Sequence, residues 1–514
     1  MHFFDPLKSR VVRAMGFNPL FWRRSVVSMD RWVTEFLSTY DPSVAEGPET
    51  LIVVSPWEGT YVPWHTLAVG LMMAAGGARV RFVLDDVPDG AGAFRHYVIM
   101  RSLNTVMGRV ATRFDVLRLT DFDPHPLDRD DRLENERLAA LNTTWELRGE
   151  MPQKGRQAIF RRKVGSTIRA HGHIKALLER TGKCDLLFMC GGVFGDSGLW
   201  VKESRERGMR IATFDTGGYE TTMLAANGLA CHLDDVPIAF RMLKDHWQNH
   251  TADRDGALER ADAEIAKRRE GVDVFSSQVS GATGGGGELD GGILIALNSS
   301  WDAAALGPHR AFPDNTSWIV ETVRILLDKT DRPVIVRQHP AERLPIAATS
   351  EDYRLMLSRE FGEHERLHFI AAQDPINSYA LLEKVRAVVV HTSTIGMEAV
   401  AFGRPVVTGS ASYYADLGFV EKALTLADYE RALLRVAATN VPVSPEMKDD
   451  AKLCFYITQC CNWVFSTFNP ADYPRWIEKP LSHWTAQPAV TRMIESLITG
   501  VPVAVLNHHG ATAS

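Results

Sequence analysis

The chain has 514 residues, more than one hydrophobic core usually supports, so two domains of roughly 200 residues each are expected. Hydrophobic residues make up 45% and charged residues 23%, a balance that suits a folded globular protein and excludes the disordered and membrane classes. A formal net charge of −6 argues against a phosphate-backbone footprint, so no nucleic acid is expected as a partner.

The six cysteines, Cys184, Cys190, Cys231, Cys454, Cys460 and Cys461, show no C-x-x-C pair and no metal-ligand spacing. Neither a zinc site nor a disulfide framework is indicated, and a reducing cytoplasm fits best. No apolar run reaches the roughly 18 residues that span a bilayer, and no secretory h-region precedes a cleavage site. The first 24 residues mix Phe3, Phe4, Phe17, Phe21 and Trp22 with Lys8, Arg10, Arg13, Arg23 and Arg24. Such a mixture can serve as an interfacial anchor on the inner face of a membrane. Pro6, Gly16 and Pro19 interrupt a long amphipathic helix there, which favours an arm packed on the first domain.

Leu51 to Ser55 is a short apolar run, followed by a Pro/Gly loop, a helical pattern over Trp64 to Ala75 and a second strand-like run over Ala78 to Leu84. This spacing predicts a β-α-β opening. From about Asp85 to Lys183 the pattern is helical and polar, with a loop at Asp121 to Pro126, and no chemical motif stands out. A second β-α-β unit is predicted from Asp185–Met189 and Arg210–Phe214, closing on Asp215-Thr-Gly-Gly218. Seven glycines in the twelve residues 281–292 resist packing and suit a flexible connector. The expected organisation is therefore an arm over 1–50, a domain over 51–280, a linker over 281–292, a second domain over 293–475 and a tail over 476–514.

Within the second domain strands are expected at 293–297, 333–337, 386–390 and 405–408, with a weaker one near 367–370. Helices are expected at 318–327, 378–384 and 394–402. Strands separated by helices imply a parallel sheet with right-handed crossovers, so the fold class is α/β with two Rossmann-like domains. Ligands of such sheets bind beyond the carboxyl ends of the strands. Two loops there carry suitable chemistry. The run Val334 to Glu342 delivers Arg337, His339 and Glu342 to a strand end, where a histidine can donate to a phosphate oxygen. A turn histidine satisfied by a backbone group is the plain alternative. The run Val388 to Val407 leads a strand into a helix opening with Thr392, Ser393 and Thr394, which offers hydroxyls, free N–H groups and the positive end of the helix dipole to an anion. In that helix Gly396 allows close approach and Glu398 lies one turn in, where it could reach a ribose. An ordinary N-cap with a packing glycine is the alternative here.

The segments Arg337-Gln-His-Pro-Ala-Glu342, Thr392-Ser-Thr-Ile-Gly-Met-Glu-Ala399, Phe402-Gly-Arg-Pro-Val-Val407 and Tyr414 to Phe419 resemble the capsule polysaccharide biosynthesis proteins, bacterial GT-B glycosyltransferases that include Kdo transferases. The likeness is clearest over 290–420 and extends weakly to 191–228. The His-Pro and Ser/Thr pair is also similar to that of bacterial sialyltransferases. The resemblance implies two facing domains, a nucleotide-sugar donor of the CMP-Kdo type held by His339, Ser393 and Thr394, a saccharide or glycolipid acceptor, and no cofactor. It departs in lacking an acidic-acidic-Gly base motif and a tandem second catalytic unit.

An acceptor-side base is expected on the first domain. Asp215 and Glu220 lead because they follow a strand in a glycine-rich loop, where a carboxylate could deprotonate a hydroxyl or simply cap the next segment. Asp85, Asp86 and the Trp57-Glu-Gly59 loop are weaker alternatives, and Asp302 is placed to position the donor or line the hinge. Metal-independent transfer is expected. The competing readings are a sugar-nucleotide epimerase, a glycerophosphotransferase, and a non-catalytic partner in polysaccharide assembly.

Overall fold

A computed structural model describes residues 19–57, 60–88, 93–217, 220–270 and 287–512. The chain divides into two compact units, one of Met1–Asn142, Gln157–Asp235 and Asn462–Ser514, the other of Thr143–Arg156 and Val236–Cys461. The glycine-rich stretch falls inside the second unit by chain position, and residues 281–286 of it lie outside the described residues. Most of residues 1–24, the expected arm or anchor, also lie outside them.

The first unit is built on a seven-stranded sheet ordered β13-β6-β5-β4-β1-β2-β3. Its strands are β1 (Glu49–Val54), β2 (Arg79–Leu84), β3 (Asp115–Arg118), β4 (Leu186–Cys190), β5 (Arg210–Thr216), β6 (Thr221–Ala225) and β13 (Trp463–Phe465). From β5 through β4, β1 and β2 to β3 all pairs are parallel; β6 and β13 add antiparallel. The helix Val62–Ala75 is apolar all round and buried along nearly its whole length, as a crossover helix pressed between sheet and surrounding layers must be. Its Gly70 is what lets it sit down on the sheet, since a Cβ there would lie 2.8 Å from Phe82 and 3.0 Å from Ile52. The helix Pro19–Thr39 buries Met29, Trp32, Val33 and Phe36 in the same core, beside Trp476 and Trp484.

Two segments differ from expectation. The stretch after Phe214 is a hairpin, with Asp215 opposite Met223. The C-terminal aromatic residues return to the first unit: Trp463 pairs with β6, Phe468, Trp476 and Trp484 are fully buried, and Phe465 is exposed. Residues 476–514 include the helices Pro488–Thr499 and Val503–Thr512 of that unit.

The second unit holds a six-stranded parallel sheet ordered β12-β11-β10-β7-β8-β9, from β7 (Ile293–Ala296), β8 (Val334–Arg337), β9 (Leu367–Ile370), β10 (Ala387–Val390), β11 (Val406–Thr408) and β12 (Glu421–Lys422). Helices alternate with these strands. Leu426–Ala438 shows the logic: it buries Tyr429, Ala432, Leu433, Val436 and Ala437, the i, i+3, i+4, i+7, i+8 stripe, and Thr425 caps its start by accepting from the Asp428 N–H at 3.2 Å. In each sheet the chain proceeds outward on one side and then restarts beside its first strand, which puts a topological switch point between β1 and β4 and another between β7 and β10.

None of the six cysteines forms a disulfide. Among the described residues no helix is long and apolar enough to cross a membrane.

Candidate functional site

At the switch point of the second unit the loops after β7 and β10 part company, and residues of the two meet across the gap. Asn298 Oδ1 accepts a hydrogen bond from the Thr392 N–H at 3.1 Å. Next to it the loop after β8 carries His339 and Glu342, because β8 pairs with β7 in register from Ile293 opposite Val334 to Ala296 opposite Arg337. The two expected donor-binding loops thus come together with the loop after β7 on the carboxyl edge of adjacent strands, the place where open parallel sheets hold ligands.

His339 is half-buried and caps the short helix Pro340–Arg343, its Nδ1 accepting from the Ala341 N–H at 3.2 Å. Loss of water around the ring, with the Arg337 charge nearby, pushes its pKa down to about 4. A neutral ring whose Nδ1 is an acceptor carries its proton on Nε2, so the bond to the backbone fixes the histidine as a donor at the other nitrogen. The turn role and the ligand role weighed from sequence are compatible, one on each nitrogen.

Arg337 is differently engaged. Its side chain is 2% exposed, bonds the Ala371 carbonyl, and donates to the Ile376 carbonyl at 3.1 Å, so it braces the loop after β9. Its Nε alone is buried without a partner. Glu342 accepts from Gln338 Nε2 at 2.8 Å and from Ser299 Oγ at 3.3 Å, tying the β8 loop to the β7 loop. Burial pushes its pKa up to about 7. Glu351, raised by burial as well, accepts from the Met151 N–H at 3.2 Å and Ser300 Oγ at 3.3 Å. Glu150 meets the start of the helix Asn315–Lys329, accepting from the Thr316 N–H at 3.0 Å, and is pushed up to about 7, chiefly by burial.

In the β10 loop, Thr392 and Ser393 are buried and Thr394 is half-buried. Thr392 Oγ1 has no partner although it is buried, and the same is true of Nδ1 of the adjoining His391. Among the described residues the N–H groups of Ser393, Thr394 and Ile395 meet no protein acceptor, and Thr394 at the helix start makes no side-chain cap. Unmatched N–H groups and a buried hydroxyl on one loop are an anion-binding arrangement. His391 Nε2 lies 3.0 Å from His309 Nδ1, and burial pushes both rings well down, His309 to about 4.

Two expected contacts are taken up elsewhere. A Cβ on Gly396 would lie 2.5 Å from the Tyr414 hydroxyl, which donates to the Ser393 carbonyl at 2.6 Å. Gly396 therefore makes room for a tyrosine that holds the loop, not for a ligand. Glu398, 2% exposed, pairs with Arg268 at 3.1 Å and accepts from the Tyr379 hydroxyl at 2.7 Å, so it is not turned toward a ribose.

In the first unit Asp215 is the penultimate residue of β5, half-buried, with Oδ1 accepting from the Thr216 N–H at 2.9 Å. Glu220 is a turn residue. Its φ is 60°, its N–H donates to Asp472 Oδ2 at 2.6 Å, and its carboxylate, 60% exposed, pairs with Arg475 at 2.9 Å. The glycine-rich loop that suggested a catalytic carboxylate is the tip of a hairpin, and its Gly218 lies outside the described residues. Asp85, ranked lower from sequence, has the more unusual setting. It follows β2, is 3% exposed, accepts from Trp200 Nε1 at 3.2 Å, and keeps Oδ1 buried without a partner. Burial pushes its pKa up to about 6 against the Trp200 bond, with Asp86 adding to the rise. Asp86 itself is held by Arg118 at 2.8 Å and by Thr120. Glu58 and Gly59 of the loop after β1 lie outside the described residues.

Spacing along the chain shows no metal cluster, yet folding gathers Asp131, His171 and Glu203, all buried. Lys175 at 2.6 Å from Asp131, and Lys202 at 2.8 Å and Arg207 at 2.7 Å from Glu203, already neutralise the carboxylates. The trio is a hydrogen-bonded ion network among helices.

Residues 303–432 match the family model described as capsule polysaccharide biosynthesis protein. The match spans about a quarter of the chain. No curated protein matches the chain. Among solved structures the chain is similar to the Thermosulfurimonas dismutans KpsC β-Kdo 2,4 transferase, at 13% identity over 52% of this chain and 87% of that one, with a TM-score of 0.33. It is also similar to WaaG, a glycosyltransferase of lipopolysaccharide biosynthesis (11%, 88% and 100%, 0.29), and to the Methanocaldococcus jannaschii UDP-GlcNAc 2-epimerase in complex with UDP-GlcNAc and UDP (10%, 80% and 99%, 0.24). The capsule-biosynthesis segment contains His339, Glu342, Glu351 and the whole β10 loop; Asn298, Ser299 and Glu150 lie outside it. Of these, Asn298 and Ser299 announce themselves by following a buried strand. Glu150 carries no such signal, standing 166 positions from the helix start it binds.

Proposed function

We propose that the protein is a glycosyltransferase that moves a sugar from a nucleotide-sugar donor, CMP-Kdo-like in preference, to a saccharide or glycolipid acceptor. The observation that carries this reading is the pairing, at one switch point, of an Nε2–H donor on His339 with the unmatched N–H groups and buried hydroxyl of residues 392–395. Such a set grips a phosphate oxygen and steadies the charge that grows on it as the sugar leaves. Thr392, Ser393, Thr394 and His339 contact the donor in this reading, while Arg337, Glu342, Gly396 and Glu398 shape the loops around it.

The acceptor hydroxyl oxygen forms a bond to the anomeric carbon, the bond from that carbon to the phosphate oxygen breaks, and the nucleotide leaves with the electron pair. The hydroxyl proton passes to a carboxylate acting as general base. Asp85 is the preferred group, because a carboxylate with a raised pKa and a vacant lone pair is the better base at neutral pH; Asp215 is the next. The reading calls for no bound cofactor.

The test is calorimetry of CMP, UDP, GDP, ADP and CDP-glycerol against wild type and His339→Ala. Binding of CMP that the variant loses supports the CMP-sugar reading. Selective binding of UDP, GDP or ADP changes the sugar class, and of CDP-glycerol points to glycerophosphate transfer. Binding of none of them sinks the transferase reading and favours a non-catalytic partner.

A further inference from the structure

The helical stretch between Asp85 and Lys183, silent in sequence, surrounds two adjoining clefts of about 730 and about 470 Å³ that share Pro88 and Thr120 as walls. They lie at the carboxyl ends of β2 and β3. The larger is lined by His96, Tyr97, Arg101, Asn104 and Arg118. The smaller is lined by His125, Arg132, Arg169 and His173. Asp86 is the one acid among the described lining residues, and it is already paired with Arg118.

Four arginines around two joined clefts stand out in a chain whose net charge is −6. Three of them, Arg101, Arg132 and Arg169, are exposed and have no ion-pair partner among the described residues. Unpaired guanidinium groups facing a concavity attract carboxylates and phosphates, which they bind through two parallel N–H bonds. Tyr97, 59% exposed on the wall of the larger cleft, adds a flat apolar face of the kind that sugar rings stack upon.

We propose that these clefts bind an anionic oligosaccharide chain, with Arg101, Arg132 and Arg169 meeting its acidic groups and Tyr97 its ring faces. A concave, elongated site suits a flexible chain better than a flat lipid surface, which would call for a protruding apolar face. That the chain is the acceptor rests on the transferase reading; that the clefts bind it does not.

The experiment is calorimetry of the full chain with a galacturonic acid hexamer, with maltohexaose as the neutral control and phosphatidylglycerol vesicles as the lipid control. The acidic hexamer is expected to bind, and to bind more weakly as salt rises from about 50 to about 500 mM. The variant R101E/R132E/R169E is expected to lose about ten-fold or more in affinity for the hexamer while CMP binding through His339 is unchanged. Were the triple variant to melt early, R101A and R169A singly carry the test, each with an expected loss of about two- to five-fold. Equal binding of maltohexaose, salt-independent binding, or an affinity untouched by charge reversal overturns the proposal. Capture by vesicles without binding of the hexamer overturns it too, and assigns the arginines to a membrane surface. Because no donor is present, failure here leaves the transferase reading standing, and failure of nucleotide binding leaves this one standing.

Discussion

His339 offers a clean separation of structural from ligand roles, because its two nitrogens do different work. Replacing it with alanine removes the acceptor for the Ala341 N–H and the Nε2 donor together. The first loss is a turn cap, with a cost to stability of about 1 kcal/mol. The second is a hydrogen bond to a charged oxygen, about 1.5 to 3 kcal/mol, or roughly ten-fold to a hundred-fold in donor affinity. Asparagine is the informative partner variant: its Oδ1 reaches the Ala341 N–H as Nδ1 does but nothing replaces Nε2–H. His339→Asn should therefore regain the thermal stability lost in His339→Ala while binding nucleotide as weakly. The pH dependence adds an independent check. With the ring pushed down to about 4, it stays neutral from about pH 5.5 to 8, so affinity for a phosphodiester nucleotide, whose own charge is constant over that range, should be flat. An affinity that climbs about ten-fold toward pH 5.5 would show an imidazolium at the phosphate and refute the neutral-donor argument. Full affinity in His339→Asn would refute the contact itself.

Gly396→Ala forces the Tyr414 hydroxyl off the Ser393 carbonyl and should lower stability by about 2 to 3 kcal/mol in urea unfolding; a wild-type midpoint would mean the tyrosine moves freely. In turnover assays Asp85→Asn should reduce kcat by about a hundred-fold or more with donor affinity intact, whereas Glu220→Gln should change it less than about two-fold, since that carboxylate is exposed and paired on a hairpin. The reverse ranking would return the base to the hairpin. Glu342, pushed up from an ordinary 4.5 to about 7, holds its proton in the fold more tightly than in the unfolded chain. Its contribution to stability is thus complete below about pH 4.5 and fades as pH rises through 7, by an order of 2 to 3 kcal/mol. Glu342→Gln should flatten that part of the stability profile, and an unaltered slope between pH 5 and 7.5 would count against it.

How much of this was legible before folding depended on whether the governing interactions were local. Buried strands of a parallel sheet are unbroken apolar runs, so Val334–Arg337 and Ala387–Val390 could be read directly, along with the hydroxyl-rich and His-Pro loops at their ends. The side chains of those loops could not be read, because a residue type reports what it can bond and not what it has already bonded. Glu398 had the right chemistry for a ribose, but Arg268, 130 positions away, takes it. Glu220 had the right loop, yet Arg475, 255 positions away, and the hairpin pairing make it a turn residue. Asp85 shows the converse: nothing in its neighbours along the chain announces the burial that lifts its pKa, nor the bond from Trp200, 115 positions away, that opposes the rise.

The same distinction explains why the cationic clefts were invisible. Arg101, Arg132 and Arg169 sit on three different helical stretches, spaced 31 and 37 positions apart, so nothing along the chain marks them as one group. Net charge averages over the surface, whereas a ligand meets a local field set by which charges share a concavity and which are already neutralised. A chain with an overall excess of acids can therefore present a cationic groove to an anionic sugar. Attraction between the two should depend on salt at these three arginines and hardly at all at paired ones such as Arg118.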